Sequence, residues 1–295
     1  MRTRYGIPLI AVATALALSG CVVNTAPTPT PTETAKVTVD KDAVALLPAD
    51  IKAAGKLIVG VDATYPPNEF KNDNGDAIGW DVDLMDAVAA KLGLTTDYRI
   101  AKFDSIIPNV VGGRYDVGSS SFTDNKEREK VVDFVNYYTA GIQWASQKGK
   151  TVDPDHACGL KVAVQTGTVE DTDELPAKSL ACTDAGKSAI QVLKYDGQDQ
   201  ATNAVALGQA DAMSADSPIT GYAIALQPTK LQAAGETFDV APYGIAVGKG
   251  SSLADAIKLA FQDLVDDGTY KRILDKWGVA DGAIDPITIN AGANG

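Results

Sequence analysis

Arg128 sits in the stretch SSSFTDNKEREKVVDF, residues 119–134, a short distance after three consecutive serines and Thr123. A guanidinium is planar and permanently charged, so it can grip a carboxylate through two parallel hydrogen bonds. Hydroxyls such as those of Ser121 and Thr123, with loop N–H groups, can fill the remaining lone pairs. The serines follow a run that reads as a strand (Tyr115 to Gly118), and Arg128 falls in a short charged helix. A loop that feeds a helix start favours an anion through its unpaired N–H groups and dipole. The competing reading is a solvated helix face, with Asp124 and Arg128 as an i,i+4 pair.

The elements that must position these groups alternate along the chain. KLIVGV (Lys56 to Val61) reads as a buried parallel strand, preceded by a helix over Val44 to Ala54. Asp62 to Phe70 is a loop with two prolines that carries an acid and Tyr65. Gly79 to Gly93 becomes an amphipathic helix with a glycine stop, and Thr95 to Ile100 is the next strand. Phe103 to Gly118 supplies helix, turn and strand. Tyr137 to Gln147 is extended and leaves this unit. A second unit repeats the pattern: strand Leu160 to Thr168 with a Gly-Thr turn into a helix over Val169 to Asp173, strand Ile190 to Tyr195, helix Gln198 to Leu207, then Ala210 to Asp216. Phe238 to Gly248 returns, and Leu253 to Trp277 forms two amphipathic helices split at Asp267-Gly268. Alternating strands and helices predict an α/β fold with largely parallel sheets.

The N-terminus reads as a leader rather than structure. Arg2 and Arg4 precede a 12-residue apolar run, Ile7 to Leu18, too short to span a bilayer. Leu18-Ser19-Gly20-Cys21 resembles a bacterial lipobox, which implies a signal peptide over residues 1–20 and a lipid on Cys21. Residues 21–42 include TAPTPTPTETAK, a Pro/Thr tether that cannot bury a core. In an exported protein the remaining even pair, Cys158 and Cys182, suggests a disulfide. The cysteine spacing fits no zinc pattern, and His156 is the only histidine, so no metal or other cofactor is expected. A formal charge of −12 argues against a nucleic-acid partner, which would need basic surface.

Ser-x-Thr-x4-Arg followed by Val-Val-Asp-Phe resembles the carboxylate clamp of family 3 bacterial solute-binding proteins, the amino-acid receptors of ABC importers. Gly79-Trp80-Asp81 is similar to the family's Gly-Phe-Asp signature, with Trp80 in place of the usual Phe. Ile107-Pro108, Gly268-Thr269-Tyr270 and Lys276-Trp277-Gly278 also match in order and spacing, from Lys56 to Val279. The resemblance implies a two-lobed periplasmic-binding-protein-like fold, each lobe a mostly parallel sheet flanked by helices. Lobe 1 would take residues 43–140 and 245–295 and lobe 2 residues 141–244, joined by two hinge crossovers near Thr139 to Gln147 and Asp239 to Ile245.

In family terms Ser121, Thr123 and Arg128 hold an amino acid's α-carboxylate, with Thr168 from the second lobe, and Asp216 takes the α-ammonium. The alternative for Asp216 is a helix cap before Ser217-Pro218. Tyr65 and Phe103 wall the carbon skeleton. Asp62 receives a side-chain donor, or merely caps its own loop. A carboxylate at Asp62 disfavours glutamate and aspartate unless Arg99 or Lys102 reaches in, and leaves amide and cationic side chains open. The implied protein is a monomeric, lipid-anchored receptor serving ABC permease subunits and not an enzyme. Two alternatives stand: a ligand-binding partner of a sensor, and a periplasmic dehydratase using a shielded acid. For the dehydratase, Glu170 and Glu174 are nearby, but they read as solvated helix positions.

Overall fold

The computed structural model describes residues 37–292. The leader, Cys21 and the Pro/Thr run lie outside these residues. The chain enters as α1 (Lys41–Ala45), capped by Asp40, whose Oδ1 accepts from the amides of Asp42 and Ala43. The first two residues of this turn, Lys41 and Asp42, fall inside the stretch read as tether. It is followed by α2 (Ala49–Ala54). One helix was expected from Val44 to Ala54; Pro48 divides it, because the residue before a proline is driven out of the helical region. Next come β1 (Lys56–Val61), then β2 (Thr64–Tyr65), β3 (Glu69–Lys71) and β4 (Ala77–Ile78), a small antiparallel sheet within and after the expected loop. The first half continues with α3 (Trp80–Lys91), β5 (Thr95–Ile100), α4 (Phe103–Val111), β6 (Val117–Thr123) and the long β7 (Val132–Gln147).

The second half holds β8 (Lys161–Gln165), a π-helical turn (Glu170–Glu174), α5 (Leu175–Asp184), β9 (Gln191–Tyr195), α6 (Gln198–Ala206), β10 (Ala212–Asp216) and α7 (Ser217–Leu226). The chain returns on β11 (Leu231–Gly248) and ends with α8 (Leu253–Asp266), α9 (Thr269–Trp277) and β12 (Ala283–Ile289).

The large sheet runs β5-β1-β6-β11-β7-β10-β8-β9, with β12 also on β7. At one end β5, β1 and β6 pair in parallel; at the other, β10, β8 and β9 do the same. Between them β7 and β11 run antiparallel as the two chain passes. Their ladder breaks register between Ala234 and Phe238 and again between Phe238 and Ala241. Helices cover the parallel ends because parallel strands need crossovers and bury both faces. The largest core lies around Trp80, Leu84, Met85, Tyr137 and Phe261, while the second half has separate clusters about Trp144 and Met213. This is the two-lobed architecture expected of the sequence, each lobe presenting the carboxyl ends of its parallel strands to the other.

Cys158 and Cys182 are bonded, 24 residues apart, tying the approach to β8 onto α5. Closing a loop of this length contributes about 3 kcal/mol in the chain-entropy account. Reduction is therefore expected to release two thiols in an intact-mass measurement and to lower unfolding stability in urea by about that amount. A stability unchanged on reduction would contradict it.

Candidate ligand-binding site between the lobes

β6 delivers Ser119, Ser120 and Ser121 to its carboxyl end. Ser121 has φ 51°, a left-handed conformation that costs about 1–2 kcal/mol for a residue with a Cβ. Hydrogen bonds hold it there. Its amide donates to Asp81 Oδ2 at 3.0 Å, its Oγ donates to Glu69 Oε2 at 3.1 Å, and that Oγ accepts from Asn68 Nδ2 at 2.8 Å. Glu69 and Asp81 are themselves buried. Burial, then the neighbouring Asp81, pushes the Glu69 carboxyl well above its ordinary range, and burial raises Asp81 to about 6.

Arg128 opens a single 3₁₀ turn, Arg128–Lys130, rather than the expected α-helix. The acid at 124 is not its partner: Asp124 accepts from Asn136 Nδ2 at 2.9 Å and the Gly292 amide at 3.0 Å. The Arg128 guanidinium lies against two rings, 5.5 Å from the centre of Phe103 and 5.7 Å from that of Phe122. Nη1 donates to the Thr123 carbonyl at 2.7 Å, and Nη2 crosses to the Gly167 carbonyl at 3.0 Å. Burial pulls its pKa down, and the charges of Glu170 and Asp216 act against that shift. Guanidinium stays a cation in proteins.

The facing wall comes from the second lobe. Gly167 has φ 83°, and a Cβ there would lie 2.8 Å from Asp104 Cβ, so only glycine allows the lobes to approach so closely. Thr168 Oγ1 donates back to the Gln165 carbonyl at 3.0 Å. Asp216 ends β10 and stands at the start of α7, yet its side chain makes no capping bond. Its Oδ2 instead accepts from Tyr65 Oη at 2.7 Å, across the cleft. Burial raises its carboxyl to about 6, opposed by the Tyr65 and Tyr243 hydroxyls and by the Arg128 charge.

Ser121, Thr123, Arg128, Tyr65, Phe103, Thr168 and Asp216 line one cavity, together with Val169 and Glu170. The enclosed space is about 10 Å³. Asp62 is not among the lining groups. Its Oδ1 accepts from the amide and hydroxyl of Thr64, and its Oδ2 from the Phe103 amide and Gln165 Nε2, so all four bonds are to the protein itself. Arg99 pairs with Asp97 and Lys102 with Asp196, and neither lines the cavity.

Glu170 and Glu174 are a correction. Instead of solvated positions they are 1% and 7% exposed, on the buried side of the π-helical turn. Glu174 accepts from Trp144 Nε1 and Ser214 Oγ, which makes it part of the core. Glu170 faces the cavity. Their i,i+4 spacing beside Leu175 was a signal for a shared face, hidden among the acids of EDTDE. His156 pairs with Asp153 in a surface turn. Among the described residues no group of three or more His, Cys, Asp or Glu could hold a metal.

Acids and a guanidinium, set on different lobes, thus face one small cavity. The chain belongs to the bacterial extracellular solute-binding proteins, family 3, whose sequence pattern it matches over residues 57–280. It is 38% identical over 283 residues to the arginine-binding protein ArgT of Corynebacterium glutamicum, covering 95% of this chain and 93% of that one. Among solved structures it is similar to an ancestral arginine-binding protein bound to arginine, with TM-score 0.70 and 36% identity over 76% of this chain and 98% of the other. It is also similar to an ancestral amino acid-binding protein described as a precursor of cyclohexadienyl dehydratase, with TM-score 0.67, 31% identity and coverage of 77% and 97%. Among the described residues no helix is long and apolar enough to cross a membrane.

Proposed function

We propose that this protein captures arginine, or another cationic L-amino acid, between its two lobes and hands it to the membrane subunits of an ABC importer. The observation that carries this reading is the Arg128 guanidinium and the Asp216 carboxylate facing one cavity from different lobes. The α-carboxylate goes to Arg128, with the hydroxyls of Ser121, Thr123 and Thr168 around it. The α-ammonium goes to Asp216. Tyr65 and Phe103 flank the carbon skeleton. The names of the similar proteins favour arginine.

A cavity of about 10 Å³ admits one water and no amino acid, so the lobes part to load. They turn where the β7 and β11 passes lose register, around Ala140 to Ile142 and Phe238 to Ala241. Parting also removes the Gln165 amide from Asp62, because the two belong to different lobes. Asp62 can then exchange that donor for one from the ligand side chain. Cys21, after its lipobox, anchors the monomeric receptor to the outer face of the cell membrane.

A calorimetric panel of arginine, lysine, histidine, glutamine and glutamate tests the reading. Arginine is expected to bind tightest; no binding of any amino acid, or glutamate binding tighter than arginine, would overturn it. The raised carboxyl of Asp216 adds a pH dependence. Protonation removes the charge that holds the ammonium, so affinity falls as pH drops through about 6, approaching tenfold per unit below it. An affinity unchanged between about pH 6.5 and 4.5 would remove Asp216 from this role.

A further inference from the structure

Glu170 is an acid that neither half of a zwitterion uses. Its side chain is 1% exposed, lines the same cavity as Arg128 and Asp216, and has one carboxyl oxygen, Oε1, with no hydrogen-bond partner. A buried carboxylate without a partner is costly, and protein structures pair or protonate such groups. Glu174, one turn further on, faces away and is satisfied by Trp144 and Ser214. The same turn therefore holds one acid that completes the core and one that does not.

The charges around the cavity are unequal. Arg128 is its one cation, and Asp216 and Glu170 are two acids. A neutral amino acid matches its carboxylate to Arg128 and its ammonium to Asp216, leaving Glu170 buried against nothing. A second positive group on the ligand gives Glu170 a counter-charge inside the cavity. Like charges in a poorly solvated site repel strongly, so an acidic ligand is excluded by the same pair. We propose that Glu170 is a ligand-contacting, specificity-determining residue: with Asp216 it receives the positive groups of a cationic amino acid and selects it over neutral and acidic ones. This rests on reading the cavity as an amino-acid site.

The groups acting on Glu170 are Asp216 on β10, Glu174 on its own turn, and Arg128 and Tyr65 from the first lobe. Burial, then the Asp216 charge, pushes its carboxyl well above the usual range. A ligand cation beside it favours the ionised form, so binding of a cationic ligand is linked to proton release in a way that binding of a neutral one is not.

The test is calorimetry of wild-type protein and Glu170→Gln with arginine and with citrulline, which keeps arginine's shape without its charge. Each titration is run near pH 7.5, where Asp216 is already ionised, in two buffers of different protonation enthalpy. Wild type is expected to prefer arginine by tenfold or more, with the greater proton release on arginine. In Glu170→Gln the preference should collapse towards one and the difference in proton release should shrink; Glu170→Asp should restore part of both. A wild type that binds citrulline within twofold of arginine overturns the proposal without any variant, as does a Glu170→Gln protein that keeps its preference within twofold. If wild type binds neither ligand nor any other amino acid, the amino-acid reading fails and this proposal falls with it.

Discussion

Arg128→Ala is expected to weaken arginine binding by about 30- to 5,000-fold, the equivalent of 2–5 kcal/mol for removing one partner of a desolvated charge pair. The guanidinium has two jobs that alanine abandons together. It is the cation of the cavity, and its Nη2 bond to the Gly167 carbonyl helps join the lobes. Phe103 and Phe122, whose rings stack at 4.6 Å, fix its plane, so the fork is preorganised before ligand arrives. Arg128→Lys keeps the charge and loses the fork, and should recover only a small part of the affinity. The fold should survive both changes, because the residue sits in a partly exposed 3₁₀ turn outside the main core. Calorimetry alongside thermal unfolding separates the outcomes: a loss below threefold with arginine would refute the clamp.

Trp80→Ala should cost the protein about 3–5 kcal/mol of stability, the range for truncating a large buried aromatic. Trp80 is fully buried, packs 4.7 Å from the Tyr138 ring and 6.1 Å from that of Tyr137, and anchors the largest core. The change also reaches the site. Trp80 Nε1 donates to Asn68 Oδ1 at 2.7 Å, and Asn68 Nδ2 donates to Ser121 Oγ at 2.8 Å. Asn68 is itself fully buried, so losing the indole leaves its carbonyl oxygen unpaired. Trp80→Phe separates the two effects, since it keeps most of the ring and breaks only this relay; about 1–3 kcal/mol should go, with weaker ligand binding. Urea unfolding measures the first quantity and calorimetry the second. An alanine variant that loses less than about 1 kcal/mol would show that Trp80 is not the anchor assigned here.

Much of the framework was legible in local sequence. β1, β5, α8 and α9 stand where hydrophobic period and glycine stops put them, because those signals are short-range and carried by the backbone. The order Ser121, Thr123, Arg128 at the end of a strand was equally readable, since strand ends and side-chain types are local properties. Other elements were not. α7 follows Asp216 with apolar residues nearly all round, so no helical face stood out in Ser217 to Leu226. β12 carries Pro286, which argues against a strand, and it forms only because β7 offers an edge position.

At the site the division is sharper. Sequence named the clamp and its opposing acid, but not what each touches. The bond of Arg128 to Gly167 and the Tyr65–Asp216 contact join residues from opposite lobes, and the ring seat of Arg128 brings together Phe103 of α4 and Phe122 of β6. Asp62 looked free to meet a ligand until the fold brought the Phe103 amide and Gln165 to it. Glu170 looked like one more solvated acid until the lobes covered it. Residue type and spacing determine which charges a chain can offer. Whether a charge is satisfied, shielded or left waiting depends on groups tens to more than a hundred residues away, and only tertiary packing decides that.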